Sequence, residues 1–470
     1  MHVLVAAALA SALAADPGSP AAESPRETPP PPRPAPAFAL PELRRFTLEN
    51  GLEVTLVSVG QMPKVTVQLA LRSGTGDEGP AETGLANLVA SLLLEGTTTR
   101  SATQIAALAA RWGGSIEATV TPDETVVEGT VLSEFAADLV GLVADVVTNP
   151  AFPEKELERV RNDRVREITI ARTVPQTLAQ ERWLAVTYPG HAYGRLLPTP
   201  EQVKGYGRAD VERHHRASYG ARRARLYVAG RFDPRRAEAA VRSAFGSWAA
   251  GAAREPAPAK PTSRREVNLV DRPGAVQSTV YVGLPTLDPR HPDYLKLLVT
   301  NTLLGGYFSS RMVANLREAK GYTYSPRSVL AVRGSAPGYW VQVADVTTAV
   351  TGASLKEIFA EIERLRAEPP PARELAAAQA YMAGDFLLKA SDRNGLVERL
   401  RFVDLHHLPQ DWLARYVPAL KAVTPADVQA MARTWLDAAR MTVVVVGDRQ
   451  QVEAQVKPFG DVVVAAPPRS

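Results

Sequence analysis

The sequence predicts an α+β fold in two homologous domains, each a mixed β-sheet packed with helices. Three observations predict it. At 470 residues the chain is longer than one ordinary hydrophobic core organises. Short β-rich runs alternate with long stretches of helical apolar spacing within each half, the pattern of sheets carrying helices on one face. The halves also repeat. ADVERHHRASYGARRARLYVAG (Ala209 to Gly230) aligns without a gap on ADVQAMARTWLDAARMTVVVVG (Ala426 to Gly447), and both read as helix, short loop and apolar strand ending in Gly. A period this long marks a duplicated domain, not a solenoid.

The elements follow in order. FTLENGLEVTLVSV from Phe46 reads as a hairpin, because Asn50-Gly51 supplies the positive backbone angles of a tight turn. Val65 to Arg72 is a further strand. Thr83 to Glu95 is a helix, with Leu85, Leu88, Val89, Leu92 and Leu93 at helical spacing. Next come helix 101–112, strands 115–121 and 124–132, helix 133–147 and long helical stretches from Glu154 to about Val186. Strand Arg225 to Gly230 closes the first half. In the second half the strand–strand–helix order of 115–147 recurs at 328–366. Thr424-Pro425 there is a helix cap followed by a first-turn proline, and Gly207 holds the equivalent cap position.

Two low-complexity stretches punctuate the chain. Residues 16–40 are Pro/Ala/Glu-rich, include Pro29 to Pro32, and are expected to form a semi-extended tether. Residues 250–264 are expected to link the domains, which places the first at 41–249 and the second at 265–460. Ahead of the tether, the apolar run from Val3 to Ala14 ends in small residues before Pro17-Gly18. That is the pattern of a secretory signal peptide over 1–15, cleaved near Ala14 or Ala15, and it implies a periplasmic or secreted protein. An uncleaved Ala-rich tail is the alternative. No apolar stretch has the length of a membrane helix.

Composition excludes several functions. There is no cysteine, hence no disulfide, thiolate metal site or cysteine nucleophile. The 54 basic and 50 acidic residues leave a net charge of +4, with Arg scattered among acids along helices, which gives no ground for nucleic-acid binding. His214-His215 and His406-His407 are adjacent in sequence, so on a helix their rings point about 100° apart and do not converge on a metal. Surface or helix-packing roles are expected for both pairs, and a structural role for His191 in its Gly/Pro loop.

GLANLVASLLLEGT (Gly84 to Thr97) resembles the hallmark helix of the pitrilysin or M16 (insulinase-like) zinc peptidases, G-x-A-H-F-x-E-H-M-L-F-x-G-T. Ser73-Gly74 to Glu78 ahead of it, Asn149-Pro150-Ala151-Phe152-Pro153 and Tyr188 to Arg195 are similar to further stretches of that family, in order, and the match runs from about 45 to 450. The resemblance implies the two-domain fold of the mitochondrial processing peptidase (LuxS/MPP-like), of the M16B type. In H-x-x-E-H two His at i and i+4 hold zinc and the Glu between them activates water. Here those positions are Asn87, Ala90 and Ser91, so no metal is expected in this chain. Glu167 falls about where the family has its third ligand, and is expected to pair with Arg164 or Arg166.

LLGGYFSSRMVANLREAKGYTYSPRS (Leu303 to Ser328) is similar to the family's C-terminal signature, L-G-G-x-x-S-S-R-L followed by L-R-E-x-x-G-x-x-Y. The resemblance implies that Arg317 and Tyr324 hold the substrate backbone and stabilise the oxyanion, a role suited to a fixed cation and a phenolic donor. Without it, LREAKGY reads as a helix end on a solvated face, with Gly321 as its left-handed cap and Tyr324 in a following strand. Gly305-Gly306 is expected to make a turn, or alternatively a backbone site for extended peptide. The family contains heterodimers that divide the metal and the Arg/Tyr pair between subunits. This sequence fits the subunit without metal, inactive alone, pairing with a zinc-bearing homologue and an unfolded peptide. The alternative is a non-catalytic scaffold like the core subunits of respiratory complexes.

Overall fold

The computed structural model describes residues 38–465, so the expected leader and most of the expected tether lie outside the described residues. The first half begins with strands β1 (Leu43–Thr47) and β2 (Glu53–Ser58), paired antiparallel around Asn50-Gly51 as expected. The Asn50 amide donates to the carbonyls of Phe245 (2.8 Å) and Trp248 (2.9 Å), which fastens the turn to the end of the half. There follow β3 (Lys64–Leu71), α1 (Leu85–Leu93), α2 (Ala102–Arg111), β4 (Ser115–Val120), β5 (Thr125–Leu132) and α3 (Ala136–Thr148). The helical stretch beyond Glu154 divides into α4 (Glu154–Ala171) and α5 (Pro175–Thr187), because Pro175 forces Val174 out of the helical region. Helices α6 (Pro200–Gly205) and α7 (Arg208–Ser218), strand β6 (Ala224–Gly230) and helix α8 (Pro234–Phe245) complete it.

Residues 250–264 contain neither helix nor strand. The second half carries β7 (Glu266–Asp271), β8 (Gln277–Pro285), α9 (Tyr294–Asn301), β9 (Arg327–Ala331), β10 (Tyr339–Thr347) and α10 (Thr351–Ala367). It continues with α11 (Ala372–Ser391), α12 (Arg393–Leu405), α13 (Trp412–Ala422), α14 (Pro425–Trp435), β11 (Thr442–Gly447), α15 (Arg449–Val456) and β12 (Asp461–Ala465).

Each half builds one six-stranded sheet, ordered β1-β2-β6-β3-β5-β4 and β12-β7-β11-β8-β10-β9. The inner pairings match in position and sense. β2·β6 and β7·β11 are parallel, while β3 and β8 pair antiparallel with their two neighbours. The repeat read from the sequence is therefore α7–β6 against α14–β11. Its caps are as expected: Thr424 Oγ1 accepts from Asp427 N (3.1 Å), and Gly207 N donates to Asp210 (2.9 Å).

The expectation of helices on one sheet face is corrected. Both faces of both sheets are covered, and each half lends a helix to the other. From the first half, α5 lays Ala179, Trp183 and Leu184 against Tyr281, Val343, Val444 and Val446 of the second sheet. From the second half, α12 lays Leu396, Val397, Leu400 and Val403 against Val57, Val126 and Tyr227 of the first. The physical reason is in the strands. β11, Thr-Val-Val-Val-Val-Gly, is buried at every position, so apolar side chains leave both faces and both need a partner.

Polar groups fix the register of this exchange. Tyr227 Oη donates to Asp404 (2.8 Å), which also pairs with Arg225 (3.0 Å). Arg401 donates to Gln68 (3.0 Å) and lies 3.3 Å from Glu124. Glu124 is 5% exposed, and burial pushes its carboxyl up to about 7 even though Arg401 opposes the shift.

Candidate functional site

The helix that resembles the family's zinc helix is α1. Its first turn has no side-chain cap of its own, since Gly84 stands at the cap position with φ +84°. Glu78 supplies the acceptors from outside: one carboxylate oxygen takes Gly84 N and the other Ala86 N, both at 2.8 Å. Burial pushes this carboxyl up to about 7 despite those two bonds. Arg195 donates to the Glu78 carbonyl and to Thr83 Oγ1 (3.1 Å), and Tyr206 Oη donates to the Thr83 carbonyl (2.8 Å). The helix is therefore firmly framed at its N-terminus.

The frame surrounds no ligand set. Asn87 and Ser91 lie on the half-buried face, Ala90 is buried, and Ser91 Oγ donates back to the Asn87 carbonyl (3.0 Å). Glu167 is exposed on α4 and paired with Arg164 at 2.7 Å, as its sequence context suggests. Among the described residues no group of three or more His, Cys, Asp or Glu could hold a metal ion. These donors do not fit zinc: an amide, a methyl group and a hydroxyl spent on its own helix replace two imidazoles and a carboxylate.

The histidine pairs divide between packing and surface: His214, His215 and His406 are buried or half-buried, and His407 is exposed. Burial holds His214 at about 4 and also lowers His215, whose Nε2 lies 2.8 Å from the Val147 carbonyl. Burial likewise holds His406 at about 4, while His407, at the end of α12 with φ +52°, contacts Arg72. His191 caps its own loop, its Nδ1 accepting from Tyr193 N (3.0 Å).

The structure brings Arg317 and Tyr324 together. Residues Val313–Ala319 form a π-helical turn that carries Arg317, and Gly321 ends it with φ +64° as its N–H donates to the Arg317 carbonyl (3.1 Å). Tyr324 then lies ahead of β9, not within a strand. The Arg317 guanidinium carbon sits 4.5 Å from the Tyr324 ring centroid and 4.8 Å from that of Phe308. Both rings are open to solvent, Tyr324 at 78% and Phe308 at 66% exposure, and Glu318 pairs with Arg317 Nε at 3.2 Å. A guanidinium held against ring faces keeps the rest of its planar N–H fork for an incoming acceptor.

Sequence reasoning missed two participants. Phe308 had as its only signal an aromatic beside the Ser-Ser-Arg triplet, and Glu78 lies too far from α1 for a local cap pattern. The turn expected at Gly305-Gly306 is also corrected: Thr302–Gly306 is a π-helical turn that continues α9. Gly305 is needed there for close approach, because a Cβ would come within 2.7 Å of Ser328 Oγ and 2.9 Å of Gln342 Oε1.

The family model described as Insulinase (Peptidase family M16) matches residues 54–201, and that described as Peptidase M16 inactive domain matches residues 206–382. The chain belongs to the M16 peptidase family. It is 29% identical over 411 residues to an uncharacterized zinc protease of Mycobacterium tuberculosis (strain ATCC 25618 / H37Rv), covering 85% of this chain and 91% of that protein. It is 25% identical over 401 residues to the uncharacterized zinc protease YmxG of Bacillus subtilis (strain 168), covering 83% and 95%. Among solved structures, a protease from Helicobacter pylori superposes with a TM-score of 0.81 at 18% identity, covering 87% of this chain and all of the other. The peptidase M16 inactive domain from Pseudomonas fluorescens gives 0.80 at 21% identity, covering 86% and 98%. These superpositions bear on the fold, and they agree with two α+β domains in this M16 chain.

Proposed function

We propose that this M16 chain is the non-metal subunit of a two-chain endopeptidase. It pairs with a zinc-bearing homologue, encloses an unfolded peptide between the two, and supplies Arg317 and Tyr324 to it. The observation that carries the reading is the contrast between two sites. α1 keeps its capping frame but presents Asn87, Ala90 and Ser91, whereas the Arg317–Tyr324 pair is assembled and open to solvent. In this reading the Arg317 cation and the Tyr324 phenol stabilise the oxyanion formed on a peptide carbonyl, the kind of charge development on which electrostatic catalysis gains most. The zinc and the water-activating carboxylate belong to the partner in this proposal.

We place the mature protein in the periplasm or outside the cell, from the signal-like run ahead of the tether. One purification tests both parts. The chain recovered from an envelope fraction should begin near Ala15 or Asp16, carry no stoichiometric zinc by elemental analysis, and leave unstructured peptides intact. About one tightly held zinc per chain with chelator-sensitive peptidase activity would contradict the subunit assignment. An N-terminus at Met1 in a cytoplasmic fraction would contradict the localisation.

A further inference from the structure

A cavity of about 780 Å³ opens between residues 309–320, α10 and the start of α11. Its wall segment also carries Arg317, which does not line the cavity. The lining holds four carboxylates, Glu357, Glu361, Glu368 and Glu374, against three cations, Arg311, Lys320 and Arg364. Their pairing is uneven. Arg311 satisfies Glu374 with two bonds, of 2.7 and 2.8 Å, and Lys320 lies 3.3 Å from Glu357. The carboxylate of Glu368, an exposed residue of the lining whose backbone N–H caps α10, makes no hydrogen bond or ion pair among the described residues.

The deeper wall is less satisfied still. Glu361 is only 3% exposed. One of its oxygens accepts from Asn315 Nδ2 (2.6 Å) and Arg364 Nη1 (2.9 Å), and the other has no hydrogen-bond partner. Asn315 spends its amide nitrogen on Glu361 and Glu357 (3.0 Å), which fixes its orientation and leaves its oxygen also without a donor. Ser310, 1% exposed on the same wall, has an unpartnered hydroxyl. A buried carboxylate oxygen without a donor is costly, and such atoms mark where a donor belongs.

We infer that this cavity is a binding site for an organic cation, a guanidinium or primary ammonium group whose N–H donors reach Glu361 and Asn315 while Glu368 balances its charge. The free atoms of Glu361 and Asn315 are acceptors, and the one free hydroxyl, that of Ser310, can accept as well as donate, a set that suits a cation and not an anion. The carboxylates form no group able to hold a metal ion, so a compact divalent cation does not fit. Arg364, largely solvated and held to Glu361 by one bond, is the side chain such a group displaces. The source is either a free amine or a basic side chain of a bound polypeptide. The site does not depend on Arg317 and Tyr324 acting on a peptide.

The test is isothermal titration calorimetry on the full chain at low salt, with agmatine, spermidine, the blocked peptide acetyl-Gly-Arg-Gly-amide and its norleucine counterpart as probes. Saturable one-site binding of a cationic probe, absent with norleucine, is expected. The affinity should fall at least tenfold in Glu361→Gln and severalfold in Glu368→Gln. Binding of the Arg peptide alone assigns the site to polypeptide side chains, and binding of the small amines alone assigns it to free amines. Glu368 is exposed, so Glu368→Gln keeps its fold even if Glu361→Gln does not, and it decides the matter by itself. No saturable heat with any cation, or wild-type affinity in Glu368→Gln, overturns the inference. Neither zinc nor a partner chain is needed, so this result is independent of the proposed function.

Discussion

Replacing Glu124 by Gln removes one ionisable group from the seam between the two halves while keeping its shape. The free glutamate carboxyl titrates near 4.5, whereas burial raises Glu124 to about 7. The folded state therefore binds the proton more tightly than the unfolded state. The stability this contributes is fully present below pH 4.5 and is lost as pH rises through 7. The difference between the two values corresponds to on the order of 3 kcal/mol, most of it falling between pH 5 and pH 8. The raw pH profile of the wild type does not isolate this contribution. His214 and His406 are held at about 4 against 6.5, so their contribution is present above 6.5 and lost as pH falls toward 4, and Glu78 behaves like Glu124. The quantity to measure is a difference of differences: unfolding free energy by urea at pH 5 and pH 8, for wild type and Glu124→Gln. The substitution should remove roughly 2–3 kcal/mol of the advantage that pH 5 has over pH 8. Parallel profiles would refute the claim that burial raises the Glu124 carboxyl in spite of the neighbouring Arg401.

Two further substitutions probe the architecture and the site. Trp183→Ala should cost about 3–5 kcal/mol, since the ring is fully buried on α5 against Tyr281 and Tyr339 of the other half. Trp183→Phe should cost much less, because the indole N–H has no partner to lose, and urea denaturation checks both. Phe308→Ala should leave unfolding free energy within about 0.5 kcal/mol, the ring being exposed. It should nevertheless lower turnover of the two-chain enzyme, with partial recovery in Phe308→Tyr, because the ring holds the guanidinium of Arg317.

What was legible in the sequence divides by the range of the interaction. The hairpin at Asn50-Gly51, the cap at Thr424 ahead of Pro425, and the repeat of α7–β6 in α14–β11 rest on neighbours in the chain, and these were readable. The run of four valines in β11 signals burial on both faces, but no local pattern says that α5, from far upstream, supplies the second cover. The Glu78 cap on α1 is hidden for the same reason. The π-helical turns at Thr302–Gly306 and Val313–Ala319 carry apolar and polar residues at spacings that an ordinary helix or turn would share. The histidine pairs were legible because adjacency alone prevents convergence. Arg317 and Tyr324 were found by motif, while Phe308, which completes their stack, required the structure.

In the proposed function, this M16 chain contributes Arg317 and Tyr324 to an active site whose metal lies on another subunit. The most direct measurement is turnover of the chain mixed with its zinc-bearing homologue, at saturating peptide, with assembly followed by size-exclusion chromatography. Arg317→Ala and Tyr324→Phe should each lower turnover by roughly 10²–10³, the usual consequence of losing one oxyanion donor, while the two chains still co-elute. Arg317→Lys should recover only part of it, for an ammonium lacks the planar fork. Unchanged turnover in both mutants of an intact complex would contradict the account and leave the chain a scaffold.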